Sequence, residues 1–166
     1  MDEDFGLAVK SFDDRGGDGV WTLPVDLRNP VPHSSFVLPG RSYVTPAKAR
    51  RHTTDTLIGW GVPGGCIERV LLIVSELVTN SIQHSTSTYI MLEFRLLTNS
   101  VVISVTDQGS SLGLPIQPEM PETTDISGRG LVLVDNISAR WGTERVKDTT
   151  MTVWASVVLV DTSDRN

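Results

Sequence analysis

The sequence predicts an α/β (α+β) domain on three observations. A long amphipathic stretch runs from about 67 to 84, a second helical stretch from 45 to 58 has its own start and stop signals, and alternating apolar runs at 88–97 and 101–107 precede a closing hairpin within 140–160. In the first stretch Ile67, Val70, Leu71, Val74, Leu77, Val78 and Ile82 recur at three- and four-residue steps, with small Ser81 completing the row. That face belongs to a core. Glu76 and Asn80 project side by side from a flank of the same helix, one turn apart, with Ile73 and His84 as neighbours. Such a pair is either a solvated helix face or a site held on a rigid element. Leu72 and Ile73 lie outside the main stripe, which predicts a second covered side.

Residues 1–34 are rich in Gly, Asp and Pro and read as an acidic, flexible N-terminal tail. Within it, Val20-Trp21-Thr22-Leu23-Pro24-Val25 is apolar enough to lie along a domain surface or a sheet edge. The folded domain is expected over 35–160, with 161–166 a C-terminal tail. Ser35 to Pro39 reads as a first strand. Thr45-Pro46 then starts a helix, with Thr45 as N-cap and Pro46 at the first helical position. Gly59-Trp60-Gly61 ends it, before the turn Val62-Pro63-Gly64-Gly65. Its Lys48, Arg50, Arg51 and His52 read as a solvated face.

After the central helix, Thr88 to Leu97 alternates as a strand, and Thr98-Asn99-Ser100 turns it into a second, Val101 to Asp107. The two-residue period puts Asp107 on the apolar side of that strand. Asp107 either satisfies the turn amides of Asp107-Gln108-Gly109 or serves a site. Residues 110–127 carry three prolines and no sustained periodicity, and a connection of that length is usually functional. Gly128-Arg129-Gly130-Leu131 precedes an apolar run at 132–137 that suits a strand by propensity, or a helix whose first amides meet an anion. Arg140 to Val146 and Met151 to Val160 read as a closing hairpin around 147–149.

At 166 residues the chain is long enough to bury a core without staples. Its net charge of -6 is concentrated at the start, where residues 1–34 hold seven acids against three bases. The remainder is nearly neutral, so direct nucleic-acid binding and attraction to anionic membrane are not expected. The single cysteine, Cys66, cannot form an intrachain disulfide, and no Cys/His cluster has zinc-site spacing. The longest apolar runs fall short of a membrane span and the acidic start lacks signal-peptide character. A cytoplasmic location is expected.

Glu76-Leu77-Val78-Thr79-Asn80, Asp107-Gln108-Gly109 and Gly128-Arg129-Gly130-Leu131, in this order and spacing, resemble the N, G1 and G2 boxes of the GHKL ATPase superfamily. Within it the chain looks most like the stand-alone bacterial anti-sigma factor serine kinases and their actinobacterial relatives, over roughly residues 35–160. The resemblance implies a Bergerat-type ATP-binding fold, a two-layer sandwich with helices on one face of a mixed, mainly antiparallel sheet. It further implies ATP and Mg²⁺ as cofactors. Asn80 would be the metal ligand and Glu76 the catalytic general base; Asp107 would accept from the adenine amino group, with Gly109 permitting close approach. Gly128, Arg129, Gly130 and Leu131 would form the phosphate-binding turn, and 110–127 the ATP lid. Four residues depart from the family pattern. Gln83 stands where relatives carry a basic residue, Met151 where many offer a threonine, and Ser110-Ser111 replaces the usual continuation of the first glycine box.

The resemblance implies a serine/threonine protein kinase acting as an anti-sigma factor, with a sigma factor or an antagonist protein as partner and a homodimeric state typical of such kinases. The alternative is a nucleotide-gated protein-binding module without turnover. A histidine-kinase catalytic domain is disfavoured because no dimerisation helices or phosphoacceptor histidine precede the core, and His52 lacks an acidic neighbour. Gyrase- and MutL-like ATPases need a transducer domain that this chain has no room for.

Overall fold

The computed structural model describes residues 8–12, 18–22, 31–109, 129–146 and 150–159, and the chain divides into two units, residues 1–31 and 32–166. In the first unit β1 (Ala8–Phe12) pairs antiparallel with β2 (Asp18–Thr22), placing Val9 opposite Trp21 and Lys10 opposite Val20. The sequence reading expects an irregular tail across most of this stretch. Val, Phe and Trp favour strand, and the two runs that carry them pair.

The second unit is built on a five-stranded sheet in the order β3-β4-β5-β7-β6. Its strands are β3 (His33–Pro39), β4 (Tyr89–Leu96), β5 (Ser100–Asp107), β6 (Arg140–Val146) and β7 (Thr150–Val158). Every pairing among them is antiparallel. The register aligns Leu38, Ile90, Leu92, Phe94, Val101, Ile103, Val105, Val153, Ala155 and Val157 on one face, and all are buried. Three helices form the second layer over it. They are α1 (Thr45–Gly59), α2 (Gly64–His84) and α3 (Arg129–Ile137), and α2 packs against α1, α3, β5 and β7. This is the expected two-layer α+β sandwich. Among the described residues no helix is long and apolar enough to cross a membrane.

The start of α1 differs from expectation. Val44 holds the cap position and no side chain caps it. Thr45 is the first helical residue, fully buried, and its hydroxyl donates to the Pro39 carbonyl at 2.7 Å, tying the helix start to the end of β3. A threonine one residue from the cap found a longer-range acceptor. The other end of α1 closes as the glycines predict: Gly61 has φ of 70°, and the Val62 amide donates back to Leu57 O at 3.0 Å. His52 also departs from the solvated face assigned to it. Its ring stacks on Phe36 with centroids 4.2 Å apart, while Lys48, Arg50 and Arg51 are exposed. Phe36 in turn meets the fully buried Phe94 edge-on.

In α2 the buried residues are Cys66, Val70, Ile73, Val74, Leu77, Val78 and Ser81. Ile67, Leu71 and Ile82 are only partly covered. Of the two residues thought to mark a second covered side, Ile73 is fully buried whereas Leu72 is 49% exposed. One residue is a 100° rotation, enough to carry Leu72 from packing to solvent. Burial pushes the Cys66 thiol up, against the opposing pull of the Arg69 cation, so this lone cysteine behaves as a small apolar core group.

The turn from β3 into α1 is fixed by a glycine whose role is steric. Gly40 donates its amide to Thr88 O at 2.9 Å, and a Cβ there would run into the Ser87 carbonyl oxygen, with the Ser87 carbonyl carbon only 2.8 Å away. The neighbour is backbone and has nowhere to go. Gly40→Ala is therefore expected to lower the unfolding free energy by about 1–3 kcal/mol, the usual cost of overpacking. Urea denaturation measures it, and an unchanged midpoint would mean that the two segments separate freely.

Candidate functional site

Glu76 and Asn80 lie on the flank of α2 between its buried stripe and solvent, each partly covered. What covers them is the beginning of α3. A Cβ placed on Gly130, the second residue of that helix, would overlap Glu76 Oε2 and come within 3.5 Å of Asn80 Nδ2. Gly130 is itself buried. The missing side chain is thus what lets the first turn of α3, with its unpaired amides, sit directly against a carboxylate and a carboxamide. The apolar run after Gly130, which the sequence left between strand and helix, is helical because Leu131, Val134 and Ile137 recur at helical spacing. Val134 is fully buried and the other two pack partly against the core.

Asp107 is 9% exposed, at the end of β5 on the buried face of the sheet. Its Oδ1 accepts the Gly109 amide at 2.7 Å, and Gly109 has φ of 70°, a conformation that favours glycine. The turn-residue reading is therefore correct as far as it goes, and the second carboxylate oxygen stays outside that turn. The turn is anchored to the segment that follows α2. Gln108 donates its amide to Ser87 Oγ at 2.7 Å and accepts from the Thr88 amide through Oε1 at 2.9 Å, while Thr86 N approaches Gly109 O at 3.4 Å. Ser85 and Ser87 hydroxyls bond each other at 2.8 Å. These bonds hold the end of β5 beside the C-terminal end of α2, one turn beyond Asn80.

The structure thus brings Glu76, Asn80 and Gly130 into contact and ties the Asp107–Gly109 turn to the end of the helix that carries the first two. Leu131 packs its side chain partly against the core. Gly128 and the expected lid at 110–127 lie outside the described residues, as does the side chain of Arg129. Met151 is the direct cross-strand partner of Asp107 and shares its face, whereas Thr152 points the other way and meets Thr106 at 2.8 Å. Gln83 is exposed in the last turn of α2. Sequence reasoning did not find Ser87 and Gln108, since their bond spans 21 residues and neither residue type signals it. Among the described residues no group of three or more His, Cys, Asp or Glu could hold a metal ion.

The fold recurs in solved structures. The chain superimposes on the RsbU and RsbW domains of Rv1364c from Mycobacterium tuberculosis with a TM-score of 0.59 and 17% identity, covering 77% of this chain and 32% of that one. It therefore spans about a third of that protein's solved chain. It also matches the SiaB-SiaC complex from Pseudomonas aeruginosa with a TM-score of 0.60 and 10% identity, over 75% of this chain and 88% of that one. No curated protein matches it in sequence. A family profile, however, covers residues 43–157, from the start of α1 to the end of β7, and so takes in Glu76, Asn80, Asp107 and Gly130 alike. The chain belongs to the histidine kinase-like ATPase domain family.

Proposed function

We propose that this protein is an ATP-binding regulator that acts as a serine/threonine protein kinase, and as an anti-sigma factor by sequestering a partner and phosphorylating its antagonist. The observation that carries the reading is the contact of Glu76 and Asn80 with the start of α3 at Gly130. Family membership implies ATP binding; the described residues supply a matching set of groups. The second oxygen of Asp107, buried at the sheet's end, suits the adenine amino group, and the positive φ of Gly109 keeps the backbone clear of the base. The first amides of α3 suit the phosphates. Asn80 fits Mg²⁺, because that ion needs few protein oxygens when phosphate and water complete its shell. Held there, Mg²⁺ would supply positive charge to offset that of the phosphates.

Glu76 is the candidate base. Its carboxylate lies against the start of α3, and with phosphates at that helix end it would accept the proton of an attacking serine or threonine hydroxyl. A neutral Asn one turn away leaves that carboxylate without a competing charge on its own flank. The SiaB-SiaC structure, a similar fold solved as a two-protein complex, supports a protein partner. A second reading, a nucleotide-gated binding module without turnover, is favoured by Met151: an apolar thioether stands opposite Asp107 on the ligand-facing side.

Two expected outcomes test the readings and the site they share. Glu76→Gln should keep ATP affinity while phosphoryl transfer, or basal hydrolysis as its substitute, falls by on the order of a hundred- to ten-thousand-fold. Wild type that binds ATP tightly yet shows neither activity would replace the kinase reading with the gated module. Gly130→Ala should leave the unfolding free energy within about 1 kcal/mol, since the helix gains a better former and Glu76 is a flexible end that can swing aside. Its ATP affinity should nevertheless fall, because the methyl displaces the carboxylate or the helix start. Calorimetric affinity equal to wild type would show that the α3 contact is not part of the site.

A further inference from the structure

α3 has nine residues, too few to hold a helix or a position unaided. Its placement therefore depends on what it touches, and the two ends are held differently. At the start, Gly130 rests on Glu76 and Asn80. Toward the other end, Trp141 Nε1 on β6 donates to Asp135 Oδ1 at 2.7 Å. The Trp141 ring packs partly on the core opposite Ala155, so its N–H comes from a fixed platform. Directly after the helix the Ala139 amide donates to Ser156 O at 2.8 Å, joining that end to the sheet. Val134, fully buried beside Asp135 in sequence, completes the anchored end.

We propose that Trp141 and Asp135 are a positioning pair that sets where α3 begins relative to Glu76 and Asn80, and so governs phosphate binding in the nucleotide site proposed above. Asp135 is exposed, and its bond goes to Trp141 rather than to Glu76, Asn80 or Asp107. Its effect travels along the helix. Five residues, about 7.5 Å of helix, separate it from Gly130, and a tilt of about 8° there moves the first turn by roughly 1 Å. Misplacement on that scale is enough to cost a site dearly. The base end should be indifferent, because Asp107 is fixed through β5 and the Ser87–Gln108 bond.

The test is calorimetric titration of the full chain with ATP·Mg²⁺ and with adenosine, in wild type, Trp141→Phe, Asp135→Ala, Asp135→Asn and the Trp141→Phe/Asp135→Ala double variant. Phe keeps most of the ring and loses the N–H; Asn keeps an acceptor oxygen. Losing this charge-assisted bond should weaken ATP about tenfold in either single variant. The double variant should be no weaker than the worse single, since both remove one bond. Asp135→Asn should recover most of the loss, and the ATP-to-adenosine affinity ratio should fall in the variants that lose the bond. Unchanged ATP affinity in Trp141→Phe, additive losses in the double variant, or equal losses for ATP and adenosine would each overturn the positioning role. If wild type binds no ATP, the proposed function itself fails and this pair's role with it.

Discussion

The domain depends on α2 being covered on more than one side. Val70, Ile73, Val74 and Val78 are fully buried and Leu77 nearly so, a stripe too wide for contact with the sheet alone. α1 and α3 supply the rest of the cover. With its apolar positions occupied in this way, the helix has little freedom to rotate, since any turn would expose a β-branched core residue at a cost of about 1.5–3 kcal/mol each. Glu76 and Asn80 inherit that rigidity. Their flank is the seam where α3 begins, and Gly130 is small enough for the seam to close over polar side chains rather than exclude them.

A second constraint works at the end of the same helix. The segment at 85–88 receives bonds from the β5 turn and from Gly40, so the ends of β3, α2 and β5 are fastened at one place. The Asp107 carboxylate sits at this junction with one oxygen committed to the Gly109 amide. Asp107 is therefore both a turn residue and a buried acid on the sheet's inner face; the two readings of it are compatible. Met151 stands beside it on the same face, and Gln83 is exposed in the last turn of the helix.

Much of this was legible because local periodicity and burial agree. The stripe of α2 and the alternation of β4, β5 and β7 each have one face that must be apolar, and their register follows from it. The pairing of Glu76 with Asn80 needed only helical geometry. The misreadings lie where long-range contacts decide. Thr45 has the chemistry of a cap but bonds Pro39, His52 lies in a basic run but stacks on Phe36, and Leu72 and Ile73 differ by a rotation that composition does not reveal. The 132–137 run was ambiguous because Val and Leu serve either structure; the burial of Val134 under the helical layer resolves it. Pairing of Ala8–Phe12 with Asp18–Thr22 was hidden by the acidic composition around it.

In the proposed arrangement α2, the β5 turn and the start of α3 together form an adenine-nucleotide site in which Asn80 bears the metal. Titration of the unmodified full chain with ATP by calorimetry, with Mg²⁺ and with the metal chelated, tests this most directly. Saturable one-to-one binding that weakens when Mg²⁺ is removed is the predicted result. An absence of binding heat and of competition by ATP at millimolar concentration, or an affinity indifferent to Mg²⁺, would contradict it.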